Sequence, residues 1–177
     1  MNKLSSFSAF LFTLGIYIMT TSSANAQNTP FSRTVKEGVV KQESVSSGVQ
    51  DISESGVAQS TTIEKEGVQR VHDGGQTSQS MVSGGGIQQV EQGGTAIGTV
   101  VNAGGLQTVG AGGISIGAII GGDGVQHIQS QGISQGTQVK TDGIQRVDAD
   151  GIAINTRIES GGIQQALPGS ILKDQGD

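Results

Sequence analysis

The chain has no cysteine, no tryptophan, one tyrosine, four phenylalanines and two prolines in 177 residues. Lack of cysteine excludes disulfides, the usual support of small exported domains, so stability must come from elsewhere. Beyond Tyr17, Phe31 is the only aromatic residue. With 30 glycines and so few large side chains, a thick globular core is excluded, while a thin, repetitive one is not. A basic excess is also missing: the formal charge is −5, and no basic cluster interleaved with aromatics occurs. That balance opposes nucleic-acid binding.

The first 26 residues read as a secretory signal. Lys3 and the free amine form a charged start, and Phe7 to Met19 is mostly apolar. Ala24-Asn25-Ala26 is a small-residue cleavage pattern. An uncleaved anchor is the competing reading, but the apolar run falls short of the ~20 residues that a span needs. The mature chain then starts at Gln27, has a formal charge of −6 and has no further membrane span. It is long enough for one domain.

What the sequence does contain is a repeat of 19 residues, marked by Gly48, Gly67, Gly86, Gly105, Gly124, Gly143 and Gly162. Two residues after each stands a glutamine: Gln50, Gln69, Gln88, Gln107, Gln126, Gln145 and Gln164. A fixed period of this kind sets the architecture before propensity does. It also argues against an enzyme, because an active site needs different groups converging on one point.

Counting each marker glycine as position 0, position 1 is always branched and apolar, from Val49 to Ile163. Position 4 runs Ile52, Val71, Val90, Val109, Ile128, Val147, Ala166. Position 8 is glycine in six repeats, and position 10 is small in six, for example Ala58, Ala96 and Ser134. Position 15 is Ile63, Val82, Val101, Ile120, Val139 and Ile158. Each repeat therefore reads as strand, glycine turn, strand, polar turn, with glycines supplying positive φ at the corners. Two glycines and several β-branched residues per repeat oppose a helix.

The expected fold is all-β: a right-handed parallel β-helix of about seven turns, stacked at ~4.8 Å over roughly 34 Å. Stacking places the seven glutamines above one another as a structural amide ladder. Positions 2 and 4 share one face of a strand and position 1 takes the other. Position 4 and the glutamines are assigned to the interior and position 1 to the outside, an apolar stripe that seeks a partner. Residues 38–177 form the repeat domain, the segment from Gly38 to Val45 acts as an edge-covering half turn, and residues 27–37 form a mobile lead.

No motif for catalysis or a cofactor emerges. His72 and His127 stand in different columns, several turns apart. No G-x-G-x-x-G, Gly-Lys-Ser/Thr or G-x-S-x-G is present. Asp123 and Asp142 share a column and could share a cation with Asp148 or Asp150, but calcium wants six to eight oxygens. No catalytic, metal or cofactor residue is assigned.

Gly86-Ile87-Gln88-Gln89-Val90, Gly93-Gly94-Thr95-Ala96, Thr99-Val100-Val101 and Gly104-Gly105 together make the best copy of the unit. This unit resembles the 19-residue strand-loop-strand repeat of AIDA-type autotransporter passengers. The resemblance covers about Gly38 to Gly169. It implies a secreted β-helix at a Gram-negative cell surface that serves adhesion, self-association and biofilm formation, with itself, surface proteins or glycans as partners. It also implies glycosylation on a hydroxyl column, here Thr61, Ser80, Thr99, Thr137 and Thr156, interrupted by Ala118. The family's C-terminal membrane barrel does not fit within this length, so the chain reads as a truncated passenger, a piece of a split gene or a small exported relative, an outer-membrane barrel encoded separately being one possible partner. A soluble periplasmic or extracellular module that binds glycan or protein is the alternative.

Overall fold

The computed structural model describes residues 31–174. The signal segment 1–26, the start of the lead at 27–30 and Asp177 lie outside them. The described chain is a parallel β-solenoid of about eight turns, without a helix. Three ladders of parallel strands run along it. The first holds the glutamine strands, such as Ile87–Val90, Leu106–Val109 and Val125–Ile128. The second holds three-residue strands, such as Thr95–Ile97 and Ile114–Ile116. The third holds short strands, such as Val100–Val101 and Ile119–Ile120. The first and third join in one 13-stranded sheet through the long strands Ser44–Ile52 and Thr62–Val71, and the second is a separate 8-stranded sheet.

Register follows the repeat: Gln107 pairs with Gln88 on one side and Gln126 on the other, and Val109 with Val90 and Ile128. The first turns are shorter. Val39 pairs with Val57, and the step reaches 19 only after an irregularity between Val45 and Ser47. The lead contradicts the sequence expectation. Phe31–Val35 is not a mobile segment but a full strand of the first ladder, with Arg33 opposite Gln50 and Val35 opposite Ile52. Its apolar residues fall too far from a marker glycine to be recognised by spacing, yet Val35 is buried and packs with Ile52.

Positions 2, 4, 10, 13 and 15 point inward. Val90, Val109, Ile128, Val101 and Ile120 are buried completely. Facing walls approach because position 10 is Ala, Ser or Thr, each buried. Position 1 faces out and is half-buried for most of its length.

Apart from Gly48, whose φ is 91°, the marker glycines serve close approach rather than φ, and the positive φ expected of corner glycines falls on their neighbours. A Cβ on Gly105 would stand 2.2 Å from the Val82 carbonyl oxygen of the preceding turn, and one on Gly94 would stand 2.0 Å from that of Val71. Positive φ sits one residue earlier, at Gly104 (75°), Asp123 (63°) and Asp142 (60°). It also recurs at position 12, where Gly98 and Gly117 (both 63°) turn the chain from the second ladder to the third. Backbone bonds continue around the corners, as in Asn102 N–H donating to Val82 O at 3.0 Å.

Candidate interaction surfaces

The glutamine column forms a continuous amide ladder inside the coil. Gln69, Gln88, Gln107 and Gln126 each donate Nε2–H to Oε1 of the preceding glutamine at 2.7 Å. Gln145 and Gln164 continue it at 2.8 and 2.7 Å. All donors point toward the N-terminal end, so the amide dipoles align. The last donor, on Gln50, meets the Glu43 carboxylate, which pairs with Arg33 in the ladder column below. An anion at the donor end of aligned dipoles is favourable for the reason it is at a helix N-terminus.

The hydroxyl column completes this network rather than facing solvent. Ser80, Thr99 and Thr137 donate to Oε1 of Gln69, Gln88 and Gln126 at 3.3, 3.0 and 3.2 Å. Thr156 donates to Gln145 at 3.1 Å. Where Ala118 interrupts the column, Ser115 takes over and donates to Gln107 at 3.1 Å. Thr61 is buried without a partner. Thr61, Ser80, Thr99 and Thr137 are all but inaccessible, so a glycosyl donor cannot reach them in the folded coil. The expected glycosylation column is thus enclosed at Thr61, Ser80, Thr99 and Thr137 and half-buried at Thr156: the hydroxyls turn inward because position 13 follows the corner residue at position 12. Ser55, Ser60, Ser130, Thr141 and Ser160 are the exposed turn hydroxyls.

The outer faces differ in charge. On the first ladder, position 3 carries Asp51, Arg70, His127 and Arg146 beside the apolar position-1 column. Arg70 reaches Asp51 at 3.8 Å and Gln89 at 3.1 Å. His127 and Arg146 converge on Asp148 at 2.7 and 3.1 Å. Desolvation raises the Asp148 pKa, but the hydrogen bond and charge of His127, together with Arg146, outweigh it and hold the carboxyl below its ordinary value. At the N-terminal end an open hollow of about 370 Å³ is lined by Thr34, Lys36, Asp51, Ser53, Glu54, His72 and Asp73. Among the described residues no group of three or more His, Asp and Glu side chains is set to hold a metal ion, and Asp148 is engaged by His127 and Arg146.

The second ladder presents a face that sequence reasoning missed. Its outward positions 9 and 11 hold Ile97, Ile114, Ile116, Ile133, Ile152 and Ile154. Ile97 and Ile116 are 43% and 37% exposed. The signal was in the sequence as two further columns, hidden because only turns three to seven carry isoleucine there.

A thin solenoid with an inward amide ladder, bearing its variable chemistry on flat outer faces, defines the chain as a parallel β-solenoid protein. No protein-family model and no curated protein sequence matches the chain. Among solved structures, it is similar to the TibC-catalysed hyper-glycosylated fragment of TibA, with a TM-score of 0.63 and 28% identity. That match covers 81% of this chain and 65% of the other, so the chain spans about two thirds of that fragment's length. The likeness supports a relationship to AIDA-type autotransporter passengers. No helix among the described residues is long and apolar enough to cross a membrane.

Proposed function

We propose that this chain is an exported structural and interaction protein, an adhesin-like passenger fragment that supports cell adhesion, self-association or biofilm formation at a Gram-negative cell surface. The observation that carries this reading is the solenoid itself: its polar ladder is consumed in holding the turns together, leaving repetitive outer faces as the means of contact. The 28% identity to the TibA fragment supports it. The chain is proposed to have no enzymatic activity and no cofactor, because its hydroxyl, amide and acidic groups run in lines instead of converging. TibA carries glycans in its solved fragment; on this chain the hydroxyls proposed to accept them are Ser55, Ser60, Ser130, Thr141 and Ser160.

Display of residues 27–177 on a non-adherent Gram-negative host tests the proposal. Gain of settling in liquid culture, or of attachment to host-cell monolayers or plastic, is the expected result; a displayed chain that changes none of these contradicts it. The second reading, a soluble glycan- or protein-binding module, is favoured by the polar hollow between Lys36 and Asp73, and glycan-array binding lost in Glu54→Ala would select it.

A further inference from the structure

We infer that Glu43 is a positioning residue that sets the direction of the whole interior amide ladder, as far as Gln164 at its other end. The inference goes beyond the interaction-protein reading and does not depend on it.

A column of stacked glutamines has no direction of its own. Each amide carries a donor, Nε2, and an acceptor, Oε1, so turning over all seven side chains keeps every bond between them. The hydroxyls beside the ladder do not choose either, because each can donate or accept. Ser115 Oγ does both: it donates to Gln107 Oε1 at 3.1 Å and accepts from Gln126 Nε2 at 3.2 Å. Thr77 accepts from Gln88 Nε2 at 3.3 Å, while Thr99 donates to Gln88 Oε1 at 3.0 Å. Direction must then come from an end.

The N-terminal end is built to choose. Arg33 stands opposite Gln50 in the ladder column. Glu43 precedes Ser44, which pairs with Thr62, so it takes the place below Thr61 in the hydroxyl column. A carboxylate accepts and cannot donate, and a guanidinium donates and cannot accept. Glu43 accepts from both Arg33 and Gln50 Nε2. Turned over, Gln50 would set Oε1 against the carboxylate, two acceptors face to face. Arg33 alone would favour that reversed direction, since it could donate to Gln50 Oε1, but its guanidinium is engaged by Glu43.

The C-terminal end does not choose. Gln164 donates to Gln145 at 2.7 Å, and nothing among the described residues donates to its Oε1. Between the ends each amide fixes the next, because one reversed glutamine would set two donors or two acceptors together. The choice made at Gln50 therefore carries through six rungs at ~4.8 Å, roughly 29 Å.

Hydrogen exchange of glutamine side-chain amides, followed by nitrogen-15 nuclear magnetic resonance on residues 27–177, tests it. In wild type the Gln164 Nε2 protons are bonded and are expected to exchange about fivefold more slowly than those of exposed Gln165, the ratio for a net bond of about 1 kcal/mol. In Glu43→Gln the freed Arg33 donates to Gln50, the ladder turns over, and Gln164 is expected to exchange as fast as Gln165. Glu43→Thr, which places there the hydroxyl that later coils carry, is expected to do the same and serves if Glu43→Gln does not fold. Arg33→Gln breaks the same ion pair but keeps the carboxylate, so Gln164 stays as slow as in wild type. Wild-type exchange at Gln164 in a folded Glu43 variant overturns the inference. So does an equal rise in Arg33→Gln, which would mean that loss of the ion pair loosens the coil without reversing its ladder.

Discussion

Replacing Gln107 by leucine probes the interior ladder at its centre. Gln107 is fully buried and makes three side-chain bonds. It donates to Gln88 at 2.7 Å, and accepts from Gln126 at 2.7 Å and from Ser115 at 3.1 Å. At about 1 kcal/mol net for each, their loss costs about 3 kcal/mol. Penalties for stranded partners stay small, because Gln88 Oε1 keeps Thr99 at 3.0 Å and Gln126 Nε2 keeps Ser115 at 3.2 Å. Leucine nearly matches the volume, so little cavity is added. Gln164 is half-buried and loses one bond, to Gln145, so Gln164→Leu costs about 1 kcal/mol or less. For a chain of this size about 3 °C accompanies each kcal/mol, so the central variant melts about 9 °C lower and the terminal one about 3 °C. Urea unfolding and thermal melts followed by far-ultraviolet circular dichroism measure both. Equal losses for the two variants, or a central variant as stable as wild type, would refute the argument that the amide ladder holds the turns together.

Val109→Asp buries an unpaired carboxylate at a fully enclosed position and is expected to abolish the cooperative melt, while His72→Ala shifts it by less than about 2 °C. Thr61→Val removes a hydroxyl that has no partner and is expected to match or exceed wild-type stability; Thr99→Val, which takes a donor from Gln88, lowers urea stability by about 1 kcal/mol. Gly105→Ala drives a Cβ into the Val82 carbonyl and should prevent soluble expression, whereas Gly104→Ala meets open space and carries only the strain of its positive φ, about 1–2 kcal/mol in denaturant titration. Asp148 titrates below its ordinary 3.8, so its contribution is complete above that value and is lost as pH falls through the lowered one. The melting difference between wild type and Asp148→Asn is therefore expected to be largest near neutral pH and to shrink in strong acid.

The architecture was legible because stacking in a solenoid is a local consequence of period. Gly86, Gln88 and Val90 recur at one step, and their side chains must then fall above one another. The inside–outside assignment followed from strand alternation alone: with Gln107 and Val109 inward, Leu106 has to face out, as it does. What was not legible depended on where corners fall. Thr99 has a strand-like neighbourhood in sequence, but the positive φ at Gly98 redirects the chain so that the hydroxyl turns inward to Gln88. The same corner makes Ile97 and Val100 outward neighbours, which spacing along the chain does not reveal. Phe31–Val35 escaped notice because Arg33, instead of glutamine, occupies its ladder position. The marker glycines were recognised, but their reason was not: a carbonyl of the preceding turn becomes visible only when the turns are stacked.

The central claim is that this solenoid acts through contact and not through catalysis, and removing the gene from its own bacterium tests it most directly. Settling in still culture and attachment to surfaces would be measured for the parent, the deletion strain, and the deletion strain restored with wild type or with Val109→Asp. The account predicts loss of settling or attachment on deletion, recovery with wild type, and no recovery with Val109→Asp, whose coil does not form. A deletion strain that settles and attaches as its parent does would contradict it.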